Sequence, residues 1–207
     1  MRTVLLSPHV DDEAFATGLL RSLEGEVEVL YATDGTGGLP SGQDPGVRRR
    51  EAAEGLRRID GRIRHRFLPL PFYHRPDRRI DEEDVRLVLE AIRDADAVVL
   101  LCDRDPKGTH DRVLMIAEAA LLLLPEKRVG YYAGAWEAHD WFEANAKVPV
   151  DCDSTRAVWQ AYPSQNPLVV DGGDPRPLER RYRDRVQAQG GCEAYMWVKK
   201  YSRASRK

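Results

Sequence analysis

A chain of 207 residues with 34 acidic and 32 basic side chains carries a formal charge of −2, which gives no electrostatic reason to expect nucleic acid or an anionic membrane as a partner. Its 42% apolar composition suffices for a buried core, and its length fits one domain spanning residues 1–207. No stretch approaches the roughly 18 apolar residues of a membrane span, no leader pattern opens the chain, and Cys102, Cys152 and Cys192 lack CxxC spacing. These features predict a cytoplasmic protein with free thiols and no transmembrane segment.

The chain opens on a strand signal, Thr3 to Ser7, that ends at Pro8. Within four residues His9, Asp11 and Asp12 gather at the turn before a helical pattern over 13–22, whose apolar positions are Phe15, Leu19 and Leu20. Val27 to Ala32 reads as a second strand, and the glycine-rich loop Thr33 to Gly38 lets backbone approach a ligand closely. Helical spacing over Val47 to Ile59 stops at Gly61, and Phe67 to Phe72 is extended by its prolines as an edge strand running into a loop. The acids Asp81 to Asp84 suit the first turn of a helix through Ile92, in a capping role.

Ala97 to Cys102 is a continuous apolar run of the kind a buried parallel strand uses. The polar stretch Asp103 to Arg112 separates it from an apolar helix, Val113 to Leu124. Short strands are predicted at Val129 to Ala133 and Lys147 to Val150, with helices at Ser154 to Tyr162 and Pro177 to Gln189. Basic runs at 48–50, 62–66, 176–185 and 199–207 read as solvated faces. Trp136 and Trp141 are candidates either for a sugar-stacking face or for the core.

Alternating strands and helices predict an α/β chain with a Rossmann-like, mostly parallel sheet and helices on both faces. In such sheets the ligand crevice lies outside the carboxyl ends of the strands. That rule places His9, Asp11, Asp12, the Asp34 loop and the 103–110 loop on one edge.

Two chemistries and one purely structural reading fit that edge. His9, Asp12 and the distant His110 make a two-histidine, one-carboxylate set that leaves zinc an open position for water, with Asp11 spare to take a proton. Alternatively, an acidic pair after the first strand suits magnesium-dependent phosphoryl transfer, with Asp11 or Asp103 as nucleophile and Lys107 on the phosphate. Magnesium's preference for oxygen does not explain His9. The structural alternative is that Asp11, Asp12 and Glu13 only cap the helix that follows.

Ser7-Pro8-His9-Val10-Asp11-Asp12-Glu13 resembles the His-Pro-Asp-Asp-Glu signature of the PIG-L/LmbE-like zinc-dependent N-deacetylases, with Val10 in the place of proline. Thr33-Asp34-Gly35 and Arg48-Arg49-Arg50-Glu51 resemble the family's loop after the second strand and its Arg-x-x-Glu helix. Tyr131-Tyr132, Val148-Pro149-Val150-Asp151, Arg156-Ala157, Tyr162-Pro163-Ser164-Gln165 and Glu193-Ala194-Tyr195 resemble its later elements in order.

The resemblance implies that His9, Asp12 and His110 bind Zn2+ and that Asp11 is the general base. The family's second catalytic histidine falls at Lys107 and its aspartate at Thr109, so either Lys107 supplies positive charge to the oxyanion or, the favoured reading, Asp11 takes the water's proton and later delivers it to the leaving amine. Arg48 and Asp34 become candidates for sugar or phosphate contacts, and Gln165 for a supporting role. The implied activity is hydrolysis of the N-acetyl group of an amino-sugar conjugate, a small-molecule glycoconjugate, to acetate and free amine. The alternative within the same fold is a glycan-binding module that has lost efficient chemistry at Lys107.

Overall fold

The computed structural model describes residues 1–36, 44, 46–105, 107–164 and 178–198. Gln165, Gly37, Gly38 and the basic stretches at 176–177 and 199–207 lie outside them. Among the described residues seven strands form one sheet: β1 Arg2–Ser7, β2 Glu26–Tyr31, β3 Arg64–Phe67, β4 Ala97–Leu101, β5 Arg128–Tyr132, β6 Ala146–Pro149 and β7 Cys192–Val198. Their order is β3-β2-β1-β4-β5-β7-β6. Strands β1 to β5 are parallel, and β7 runs antiparallel to both β5 and β6.

Among the described residues six helices cover the sheet: α1 Thr17–Ser22, α2 Gly46–Ile59, α3 Glu82–Ile92, α4 Thr109–Leu121, α5 Cys152–Trp159 and α6 Leu178–Ala188. Successive strand residues enter different cores. Leu5, Val29, Val99 and Leu101 pack with Leu19, Leu56, Trp159 and Tyr182 from α1, α2, α5 and α6. Val4, Leu6, Leu30, Val98 and Leu100 pack with Val88 and Ile92 of α3 and Ile116 and Ala117 of α4. Burial on both faces is why the central strands read as unbroken apolar runs rather than alternating ones. The fold is thus the mostly parallel α/β sheet with helices on both faces that the sequence predicts. No helix among the described residues is long and apolar enough to cross a membrane.

Three boundaries differ from the sequence reading, each for a specific physical reason. The pattern over 13–22 divides into a 3-10 turn, Asp12–Ala16, and α1, because the Glu193 carboxylate accepts the Gly18 and Leu19 N–H groups at 2.9 and 3.1 Å and starts a new helix there. Strand β3 is the basic run at 64–67 rather than 67–72. It is an edge strand whose Arg66 pairs with Glu28 at 3.2 Å, and the prolines beyond it fall in a loop and a second 3-10 turn, Pro71–His74.

Helix α4 begins four residues before the apolar pattern does. Gly108 turns the chain at φ 66°, and Asp105 Oδ1 accepts the His110 N–H at 2.7 Å. Strand β7 was absent from the sequence reading, which saw only Glu193 to Tyr195 as a motif.

The order of the strands decides where a site can form. From β1 the chain moves to β2 on one side, whereas β4 leads to β5 on the other, so the β1–β4 seam is the point at which the winding reverses. The loops leaving β1 and β4 open a crevice there.

Candidate metal centre

The loop after β1 is held by its own polar groups. Ser7 Oγ donates to the His9 carbonyl at 2.8 Å, and the His9 N–H donates to Asp12 Oδ2 at 2.8 Å. Between them Asp11 adopts a left-handed backbone, φ 105° and ψ −23°, a conformation that costs a non-glycine residue about 1–3 kcal/mol. It is secured from Glu13, whose Oε2 accepts the Asp11 N–H at 3.0 Å. Glu13 Oε1 in turn accepts the hydroxyls of Tyr31 and Tyr162, at 2.5 and 2.7 Å. Glu13 is wholly buried. Its acceptors are therefore spent on holding Asp11 and two tyrosines rather than on solvent.

The loop after β4 supplies the second half. Asp103, also wholly buried, places Oδ1 2.5 Å from His110 Nδ1 and accepts the Trp136 N–H on Oδ2 at 2.9 Å. With Nδ1 facing a carboxylate, His110 presents Nε2 to the crevice. That nitrogen lies 3.1 Å from His9 Nδ1 and 3.4 Å from Asp12 Oδ2, and the third separation, His9 Nδ1 to Asp12 Oδ2, is 3.3 Å.

These three atoms are grouped closely enough that they could hold a metal ion. A tetrahedral zinc ion with bonds of about 2.0–2.1 Å needs ligand atoms about 3.3–3.4 Å apart, which the three separations match closely. Two nitrogens and one carboxylate oxygen also suit zinc chemically and leave a fourth position open. Charge points the same way. Asp11, Asp12, Glu13 and Asp103 are all buried around the imidazoles, and buried carboxylates need cations or donors beside them.

Titration behaviour follows from this crowding. Burial would depress His110, but the Asp12 and Asp103 carboxylates outweigh it and push the imidazole up to about 10. Burial, seconded by the Asp12 charge, holds the Asp11 carboxyl well above the usual carboxylate range, with Arg48 pulling the other way. Asp12 is lowered despite its burial, because His110 and His9 face it. Burial raises Glu13 to about 7 against the bonds from its two tyrosines.

Of the other residues singled out from the sequence, Arg48 on α2 is buried, and its Nε has no hydrogen-bond partner among the described residues. It sits against Gly35, where an added Cβ would meet Arg48 Cβ at 3.2 Å and Val10 Cγ2 at 3.6 Å, so the Asp34 loop, Arg48 and the metal loop adjoin. Asp34 spends Oδ1 on the Thr36 N–H and hydroxyl, and its Oδ2 lies 3.5 Å from His74 Nε2.

Lys107 stands exposed in the turn before α4, outside the donor triangle, with its N–H on Asp105 Oδ2 at 3.2 Å. Trp136 lies beneath the Arg181 guanidinium, 4.6 Å from Cζ to ring, and Trp141 stacks on His139. Sequence reasoning missed two supports. The position of Asp103 directly after a buried strand and seven residues before His110 is the signal that could have revealed the first. Glu13 clamping Asp11 has no comparable local signal, because Tyr31 and Tyr162 come from far along the chain.

The sequence model of the PIG-L family, described as GlcNAc-PI de-N-acetylase, matches residues 4–121, more than half of the chain. The chain belongs to the PIG-L family. The matched region runs from β1 to the last residue of α4 and so contains both loops that carry His9, Asp12 and His110. Among solved structures, the antimicrobial reagent A40926 pseudoaglycone deacetylase Dbv21 is 19% identical, with a TM-score of 0.57 over 97% of this chain and 98% of the other, a likeness of fold. AtPrR2 in its apo form is 12% identical over 91% of this chain and 77% of the other, with a TM-score of 0.30 that carries no structural argument. A search of curated protein sequences returned no match.

Proposed function

We propose that this PIG-L chain is a zinc-dependent hydrolase that removes the N-acetyl group of an amino-sugar conjugate of N-acetylglucosaminyl type, releasing acetate and a free amine. The observation that carries the reading is the 3.1–3.4 Å triangle of His9 Nδ1, Asp12 Oδ2 and His110 Nε2 with the strained Asp11 beside it. The descriptions of the family and of Dbv21 as deacetylases support the reaction class.

Zinc held by His9, Asp12 and His110 would supply a Lewis acid that polarises the amide carbonyl and lowers the pKa of water. Asp11 takes the proton of the attacking water and returns it to the leaving amine, a double duty suited to a carboxyl whose pKa is already raised. Lys107, where the family motif has histidine, is too exposed to replace Asp11 in the second step, and its contribution is a positive charge at the rim. Asp103 keeps His110 in the tautomer that offers Nε2. Arg48 and Asp34 contact the sugar or its substituents. The catalytic unit is one domain over residues 1–207, in a reducing, cytoplasmic setting that suits the free thiols of Cys102 and Cys192.

The test is release of acetate and free amine from a panel of N-acetyl sugars by zinc-reconstituted protein. Activity should vanish on chelation and return with zinc. Sugar binding without acetate would favour the altered glycan-binding module, and a magnesium-dependent phosphate product would favour phosphoryl transfer. Either result overturns the reading.

A further inference from the structure

Among the described residues only two non-glycine residues have a left-handed backbone, Asp11 in the metal loop and Arg78 at φ 54°. Strain of this kind persists where surroundings impose it, and it collects at functional sites. At Arg78 the constraint comes from α4. Arg112 Nε donates to the Arg78 carbonyl at 3.0 Å, while Arg112 Nη1 donates at 2.7 Å to the carbonyl of Gly108, the left-handed residue that opens the His110 helix. One guanidinium thus clamps residue 78 to the turn that delivers a metal ligand.

The Arg78 side chain is held with equal care. Its Cζ lies 4.4 Å above the Tyr73 ring, and its Nη1 is 3.5 Å from Oγ1 of Thr109, the residue before His110. Tyr73 meets the His9 ring edge-on, with centroids 6.4 Å apart. The platform is rigid, because the wholly buried Asp84 accepts the Phe72 N–H at 2.8 Å and Arg75 Nη1 at 2.6 Å on either side of Tyr73. The guanidinium therefore stands at the mouth of the crevice, tied to the neighbours of both histidine ligands.

Among the described residues no carboxylate answers its charge. Among the described residues neither Arg78 nor Arg112 pairs with a carboxylate, whereas the nearby Arg75 bonds both Asp81 and Asp84. Arg112 is consumed by backbone carbonyls, but Arg78 keeps a planar fork of donors of the shape that recognises phosphate and carboxylate.

We propose that Arg78, mounted on Tyr73, binds an anionic substituent of the sugar conjugate, so that the enzyme prefers N-acetyl sugars bearing a phosphate or carboxylate to neutral ones. This rests on the deacetylase reading and names its substrate class. Arg78 is a specificity-determining residue in this account, and its signature is a KM effect larger on anionic substrates than on neutral ones.

The experiment compares N-acetylglucosamine 1-phosphate, N-acetylmuramic acid and methyl N-acetylglucosaminide as substrates of the zinc-loaded parent, Arg78→Gln and Arg78→Lys. The parent should favour one or both anionic sugars, and which one separates phosphate from carboxylate recognition. Arg78→Gln should lower kcat/KM on the favoured sugar about 10- to 100-fold, through KM, and lower it by at least several-fold less on the neutral sugar. Arg78→Lys should recover part of the loss, having the charge without the fork. No anionic preference in the parent, or an equal loss on all three sugars in both variants, overturns the proposal. If the parent hydrolyses none of them, the deacetylase reading fails separately. Calorimetric binding of N-acetylglucosamine 1-phosphate then decides: weaker binding by Arg78→Gln supports the anion site, and no binding or equal binding refutes it.

Discussion

Asp103 Oδ1 lies 2.5 Å from His110 Nδ1, and this contact decides which imidazole nitrogen faces His9 and Asp12. Removing such a carboxylate partner of a histidine ligand typically costs 10- to 100-fold in metal affinity. Asp103→Ala should therefore weaken zinc binding by about that factor in competition with a chromophoric chelator, while His9 and Asp12 still give measurable binding. Unchanged affinity would mean that the contact does not orient the ligand.

Glu13 works on the other half of the centre. In Glu13→Gln one acceptor becomes a donor facing either the Asp11 N–H or the tyrosine hydroxyls, and a buried polar group left unpaired in this way costs about 1–3 kcal/mol. The expected outcome is a lower denaturant midpoint together with reduced kcat and near-normal zinc content, since Asp11 loses the bond that secures its left-handed backbone. Full turnover in Glu13→Gln would show that the strain at Asp11 is maintained by other contacts.

The first half of the candidate site was legible in the sequence because its parts are local. His9, Asp11 and Asp12 follow one apolar strand and keep their order in space. His110 was legible only through the resemblance and the topology, as a single histidine at a helix start carries little information. The supports were hidden for a physical reason: Tyr162 reaches Glu13 across 149 positions and Glu193 reaches Gly18 across 175, and no periodicity records such pairings. Strand β3 was misplaced because its basic residues look like a solvated loop until the ion pairs to Glu26 and Glu28 on β2 are seen. Strand β7 escaped notice because it pairs antiparallel at the far side of a parallel sheet, next to a short edge strand.

Glu193 makes stability depend on pH. Its carboxyl is raised to about 7 from an ordinary 4.5, chiefly by burial, with the bonds from Gly18, Tyr182 and Leu19 opposing. Between those values the folded state holds a proton that the unfolded state has lost, so this group's contribution is complete below pH 4.5 and declines as pH rises to about 7. Unfolding free energies of metal-free parent and Glu193→Gln, compared at pH 5, 6 and 7, should show a parent advantage that shrinks with rising pH. A pH-independent difference would contradict the assignment.

In the proposed mechanism Asp11 is the proton-transferring group beside an intact His9–Asp12–His110 triangle. Its most direct test measures zinc content and acetate release together in Asp11→Asn, using an N-acetyl sugar that the parent hydrolyses. The account predicts the parent's zinc stoichiometry with turnover reduced about 100- to 10,000-fold, the usual scale of a general base. Zinc retained with turnover at the parent rate would contradict it.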